Sequence, residues 1–173
     1  MSRGRLLAAF LILTSLSLLA ASPASAQPRV SGMVFADAQD QLHGTAIPAD
    51  SSSFRFRRVQ LTVEHDLDSV FTARVQLEDD DNELTSRGKS AAFMKQAWLR
   101  WGHIGSVGDL YMGLSIAPTW AVAEGVWGYR SLEKTVLDLQ GLGSATEMGV
   151  ALQRAPSATH PLGWHLMLAN GNG

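Results

Sequence analysis

The chain contains no cysteine. That excludes disulfide stapling, thiolate catalysis, thiolate metal centres and lipid attachment through a cysteine. Net positive charge is also missing. The first 26 residues hold two of the 14 basic residues and none of the 16 acidic ones, so residues 27–173 carry a net charge of −4. Such a balance gives no reason to expect nucleic acid as a partner. Beyond the N-terminus no stretch reaches the roughly 18 uncharged apolar residues of a membrane helix. A barrel strand needs only about 9–11 residues, half of them apolar, so a β-barrel is not excluded.

What is present begins with a leader. Arg3 and Arg5 precede an apolar run from Leu6 to Ala21. Ala24-Ser25-Ala26 then fits a small-residue cleavage site, with Gln27 as the first mature residue. Residues 1–26 therefore read as a secretory signal peptide rather than a membrane anchor. Residues 27–173 are one domain of an exported protein.

That domain reads as all-β. Between Phe54 and Glu64, one parity carries Val59, Leu61 and Val63, and the other carries Arg58, Gln60, Thr62 and Glu64. Successive strand side chains point to opposite faces, so both faces are chemically decided. Phe71, Ala73, Val75 and Leu77 alternate with Thr72, Arg74, Gln76 and Glu78. Ala97, Leu99 and Trp101 alternate with Gln96, Trp98 and Arg100. Seven strands are expected: Val30–Ala38, Phe54–Asp66, Ser69–Asp79, Ala91–Trp101, Gly108–Ser115, Thr146–Gln153 and Gly163–Ala169. Their connections alternate between short and long. In an antiparallel meander this puts tight turns on one rim and long loops on the other, an asymmetry shared with outer-membrane barrels.

Register can be proposed for two hairpins. A turn at Leu67-Asp68 sets Arg58 opposite Gln76 or Glu78, and Gln60 opposite Arg74 or Gln76. In the later hairpin Trp101 meets Leu110, Leu99 meets Met112 and Ala97 meets Leu114. Arg100 then meets Tyr111, and Trp98 meets Gly113. The one helix candidate lies in the long loop Ile116–Ala145, capped by Ser131, with Leu132, Val136, Leu137 and Leu139 on its apolar side. Gly141 and Gly143 end it.

Catalytic and metal signatures are near misses. Gly88-Lys89-Ser90 lacks the glycine five residues earlier that a phosphate loop needs, since position 83 is Glu83. Ser131-Leu132-Glu133-Lys134 matches Ser-x-x-Lys without the partner motifs of penicillin-recognising enzymes. Glu78 to Glu83 is an acidic run without the glycine or spacing of an EF-hand, and it reads as a solvated loop. His160 and His165 are not at zinc spacing. The expectation is no enzyme, no metal and no cofactor. Among the five tryptophans, Trp101 is the best candidate for an interfacial girdle, ending an apolar face beside a tight turn.

These segments, in order, resemble porins of the phosphate-selective porin O and P family. Phe54–Glu64 is similar to an early strand of that family, followed by the Phe71–Asp79 strand and its acidic end. Lys95-Gln96-Ala97-Trp98-Leu99-Arg100-Trp101 resembles the family's aspartate-alanine-tyrosine strand, with Gln96 where aspartate is common. Gly108 to Thr119 resembles a glycine-x-phenylalanine-x-x-proline strand and loop, with Ser115 and Ile116 in place of an aromatic and basic pair. Arg130-Ser131-Leu132-Glu133-Lys134 is similar to the constriction loop, and Leu168 to Gly173 to an asparagine-glycine strand end. The family's dense lysine and arginine ladder is not matched.

The resemblance implies a pore in the outer membrane of a Gram-negative-type bacterium, surrounded by outer-membrane lipid, and a homotrimer. It implies passive diffusion of small hydrophilic solutes or ions, anions such as phosphate among them. Arg58, Gln60, Glu64, Arg74, Gln76, Glu78 and Arg100 would line the lumen, with Arg130 and Lys134 at the constriction. The barrel implied has about 16–18 strands. Seven form only an unclosed part of it, and an odd number leaves the two ends on opposite rims. The chain is accordingly expected to be the N-terminal part of such a barrel. Two other readings stay open here. One is a periplasmic β-sandwich or small barrel that binds a ligand, with Val59, Leu61, Val63, Val75 and Leu77 as its core. The other, an outer-membrane enzyme, has no convincing nucleophile and base to support it.

Overall fold

The computed structural model describes residues 27–41, 51–80, 89 and 91–171. Residues 1–26, expected from the sequence to be a signal peptide, together with Asp81 to Glu83 of the acidic run, Gly88 and Ser90, lie outside the described residues. Seven strands follow in order: β1 (Arg29–Gln41), β2 (Ser51–Asp66), β3 (Phe71–Asp80), β4 (Phe93–Ile104), β5 (Gly108–Ile116), β6 (Thr146–Arg154) and β7 (Trp164–Ala169). Each pairs antiparallel with the next, giving one open meander sheet from β1 to β7. The expected strands are all present. Connections 42–50, 81–92 and 117–145 leave from one rim, and 67–70, 105–107 and 155–163 from the other. No helix among the described residues is long and apolar enough to cross a membrane.

The first tight hairpin departs from the expected register. Arg58 pairs with Asp80 and Gln60 with Glu78, so each partner lies further along β3. The cause is Asp68. Its Oδ1 accepts from the Val70 and Phe71 amides at 2.8 and 2.7 Å, and the Leu67 amide donates to the Phe71 carbonyl at 2.8 Å. This Asx-type cap draws residues 67–70 into the turn, and pairing starts at Asp66 with Thr72. The β4–β5 register matches the expected one at all five pairs.

Two irregularities correct a simple alternation. Between β1 and β2 the pairing shifts at Phe35/Ala36, leaving Arg57 as an extra residue on β2. Between β3 and β4 it shifts at Gln76/Leu77, leaving Lys95 extra on β4. A bulge of this kind lets two consecutive residues share a face. Arg57 and Arg58 thus lie on the polar face together, as do Lys95 and Gln96. The Arg57 bulge also reverses the parity of what precedes it. Phe54 and Phe56 join Val59, Leu61 and Val63 on the apolar face.

The long loop was expected to carry a helix starting at Ser131. Instead α1 spans Pro118–Val126, and a single turn, α2, spans Val136–Leu139. Pro118 occupies the first turn of α1, where its fixed φ suits the helix and its missing N–H is not needed. Thr135, not Ser131, caps α2, accepting from the Asp138 amide at 3.3 Å. The Ser131 and Leu132 carbonyls are held by the Arg57 guanidinium, which keeps this segment in turns. Gly141 and Gly143 do follow the helix end, both at positive φ.

Burial is inverted relative to a soluble sheet protein. Buried hydrophobic residues among those described are only Ala117, Trp120 and Ala151. Buried polar and charged residues include Arg58, Thr72, Glu78 and Ser115. The apolar face stands open along the whole sheet, from Val34 and Leu61 through Val75, Leu77 and Met112 to Leu166 and Leu168.

Candidate functional site

The site is the polar face of the sheet together with the loop that crosses it. Alternation puts the charged residues there, and the strand register places opposite charges side by side. Arg29 Nη2 lies 2.6 Å from Glu64 Oε1, and its Nη1 lies 2.5 Å from Asp66 Oδ2. Arg74 Nη2 reaches the other Glu64 oxygen at 2.6 Å. Thr72 Oγ1 donates to Asp66 at 2.8 Å and accepts from Arg100 Nη2 at 2.9 Å. Arg100 Nη1 stands 3.5 Å from Asp109. A chain of amides runs beside these charges: Gln76 donates to Thr62 at 2.8 Å, Gln96 to Gln76 at 3.1 Å, and Trp98 Nε1 to Gln96 at 2.9 Å.

Trp98 is held flat by its neighbours. Arg74 lies over its ring at 5.1 Å, and Tyr111 meets it edge-on at 5.0 Å. Its cross-strand partner is Gly113. Gly113 has φ 122°, and a Cβ there would meet the Ala97 carbonyl oxygen at 2.3 Å. Only glycine fits both constraints. Together Arg74, Trp98, Arg100 and Tyr111 line a recess of about 360 Å³ that Ile116, at the loop's start, closes on one side.

Nearer the long-loop rim the charge density rises. Glu78, 1% exposed, has Arg58 Nε at 3.7 Å and Lys95 Nζ at 3.5 Å, and it accepts from Gln60 Nε2. Arg57 Nε is 2.5 Å from Asp37.

The loop crosses this face from the β6–β7 side to the β1–β2 side. Pro118, Ala121 and Val122 of α1 share a recess with Gln153 and His165. Glu124 and Arg130 share the next with Gln60, Gln76 and Lys95. Arg130, Glu133 and Lys134 share a third, of about 250 Å³, with Phe35, Arg55, Arg57 and Arg58. Contacts fasten the loop at its far side: Arg57 to the Ser131 and Leu132 carbonyls, and Lys134 Nζ to Asp80 at 3.6 Å. Within the loop, Arg130 pairs with Glu124, and Trp120 Nε1 donates to Asp138 Oδ1 at 2.7 Å. Burial alone would push the Asp138 carboxyl up. The hydrogen bonds from Trp120 and Thr135 outweigh it and hold the group below the ordinary aspartate range.

The residues singled out in the sequence come together here. Arg58, Gln60, Glu64, Arg74, Gln76, Glu78 and Arg100 all lie on the polar face of β2, β3 and β4. Arg130 and Lys134 lie in the crossing loop, each ion-paired. Arg57 and Lys95 were missed, as was Asp37, the partner of Arg57. The signal was present: Arg57-Arg58 and Lys95-Gln96 are consecutive polar pairs that interrupt an alternating strand, which marks a bulge. Of the tryptophans, Trp101 sits on the apolar face against Phe71, at a centroid distance of 5.8 Å, and Trp164 shares its parity with Leu166 and Leu168. Trp98 is on the polar face, while Trp120 and Trp127 belong to the loop.

No family model matches the chain, and neither a search of curated proteins nor one of solved structures returns a match.

Proposed function

We propose that this chain forms part of the wall of an outer-membrane pore through which small hydrophilic solutes or ions diffuse passively. One observation carries the reading. The sheet leaves its apolar face open and covers its charged face with its own loop, the reverse of what water-solubility requires. In lipid the open face is solvated and the charged face meets water inside a barrel. The resemblance to phosphate-selective porins points the same way, and so do the two levels of aromatic residues. Phe71 and Trp101 lie on the apolar face toward the short-turn rim, and Phe54 and Phe56 toward the long-loop rim. The strands have the length needed: β3, β4, β5 and β6 hold 10, 12, 9 and 9 residues.

In this reading the segment 117–145 is the constriction, and Arg58, Arg74, Arg100, Arg130 and Lys134 line the path. Transport needs no covalent chemistry, and selectivity follows from pore width and charge. Further strands complete the wall at the edges of β1 and β7. The test is reconstitution of the native protein, purified in detergent from outer membranes, into planar bilayers. Discrete conductance steps are expected. Their absence overturns the pore, and a monodisperse, detergent-free monomer would favour a periplasmic binding protein instead.

A further inference from the structure

Every arginine and lysine described on the polar face of β1 to β5, or in the crossing loop, has a carboxylate oxygen within 4 Å. The face is rich in cations, and each lies beside a carboxylate, with Asp37, Glu64 and Glu78 each serving two. Glu78 stands apart among the carboxylates that do this. It is 1% exposed, and like Glu64 it holds cations from two different strands, here Arg58 on β2 at 3.7 Å and Lys95 on β4 at 3.5 Å. Gln60 fixes its orientation by donating to it. Its two cations face different recesses. Arg58 lines one with Arg57 and Lys134, and Lys95 lines the next with Glu124 and Gln96. Arg130 of the loop borders both. Glu78 is therefore the shared counter-charge beneath the crossing of the loop, and the Lys95 bulge is what delivers its second cation.

We infer that Glu78 sets the ion preference of the proposed pore by offsetting one of the two positive charges of Arg58 and Lys95 where the loop crosses the polar face. The inference rests on the pore reading. With Glu78 charged, the cluster of Arg58, Lys95 and Glu78 keeps one net positive charge and passes small ions of both signs with a weak preference for anions. A charge removed from a water-poor wall is poorly screened, so the partners it leaves behind project their field into the adjacent water. Neutralising Glu78 thus doubles the cluster's positive charge. Neutralising Lys95 leaves one carboxylate for one arginine and acts in the opposite sense.

The test is the reversal potential of single channels across a potassium chloride gradient. Glu78→Gln is expected to move the potassium-to-chloride permeability ratio toward chloride by about sevenfold, the effect of one unit charge at roughly 7 Å through water acting on the two ions in opposite senses. Lys95→Met is expected to move it toward potassium, and the double variant to return near the starting value. A purely structural role would not give shifts of opposite sign. If Glu78→Gln fails to assemble, Lys95→Met decides alone, and no shift toward potassium overturns the inference. Unchanged reversal potentials in conducting variants, or shifts of the same sign, overturn it while leaving the pore intact. A wild-type protein with no conductance removes the pore reading itself.

Discussion

At the scale of single residues, the loop depends on one carboxylate. Asp138 receives Trp120 Nε1 at 2.7 Å and Thr135 Oγ1 at 3.0 Å, and both favour its charged form. Its value in the folded state is held below the ordinary 3.8. A depressed carboxylate contributes stability above its unfolded value and loses it as pH falls through the folded one. The loop should therefore remain fastened at pH 5 and loosen only below about pH 4. Hydrogen exchange of the 117–145 amides, followed from pH 6 to pH 3, reads this directly. Asp138→Asn should exchange faster at pH 6 already, with little further change in acid. A second single-residue dependence is Gly113. Its positive φ and its close approach to Ala97 mean that Gly113→Ala should cost about 1–3 kcal/mol. A lowered urea midpoint for the folded gel band checks it, and an unchanged midpoint rules out the packing described for Trp98.

At the scale of elements, a bulge decides which face two phenylalanines take. The alternation of β2 is legible from Arg58 to Glu64, but Phe54 and Phe56 have the parity of Arg58 and Gln60 in the sequence. Only the extra residue at Arg57 moves them to the apolar face, where Phe54 is 90% exposed. Deleting Arg57 should remove the bulge and restore strict alternation, with Phe56 now next to Arg58 and both rings still on the apolar face. Because the chain has no cysteine, Phe54→Cys offers a single labelling site. A fluorophore there should be quenched by lipid-soluble quenchers in the parent and in the deletion alike. Aqueous quenching in the parent that the deletion reverses would mean that Arg57 is an ordinary alternating residue and not a bulge. The other elements divide along the same line. The β4–β5 register was legible because a tight turn and two uniform faces admit one pairing. The β2–β3 register was not, because the Asp68 side chain enlarges the turn and periodicity carries no trace of that. Helix α1 was hidden because Pro118 looks like loop punctuation unless it is placed at the first helical position. The expected Ser131 start failed because a distant arginine holds the carbonyls beside it.

At the scale of the molecule, the inverted sheet is the property that most constrains function. Away from the two bulges, which residues share a face was legible from spacing alone, including all seven strand residues proposed for the polar side. What covers each face was not, because alternation is the same whether the apolar side meets another sheet or lipid. Neighbouring positions on β3 separate the two cases. Val75 is exposed on the apolar face, and Gln76 lies beside it on the polar face within the amide chain of Thr62 and Gln96. An arginine on a lipid-facing strand position costs about 2–4 kcal/mol near the midplane of the bilayer, whereas a lumen position tolerates it. Val75→Arg should therefore reduce assembly into liposomes severalfold, measured as the heat-modifiable folded band. Gln76→Arg should assemble normally, since Glu78 and the open lumen can accommodate its charge. In a water-soluble sandwich with Val75 in its core, both variants would be made without detergent, and Val75→Arg would unfold in solution. Equal assembly of the two variants would mean that the open apolar face does not meet lipid.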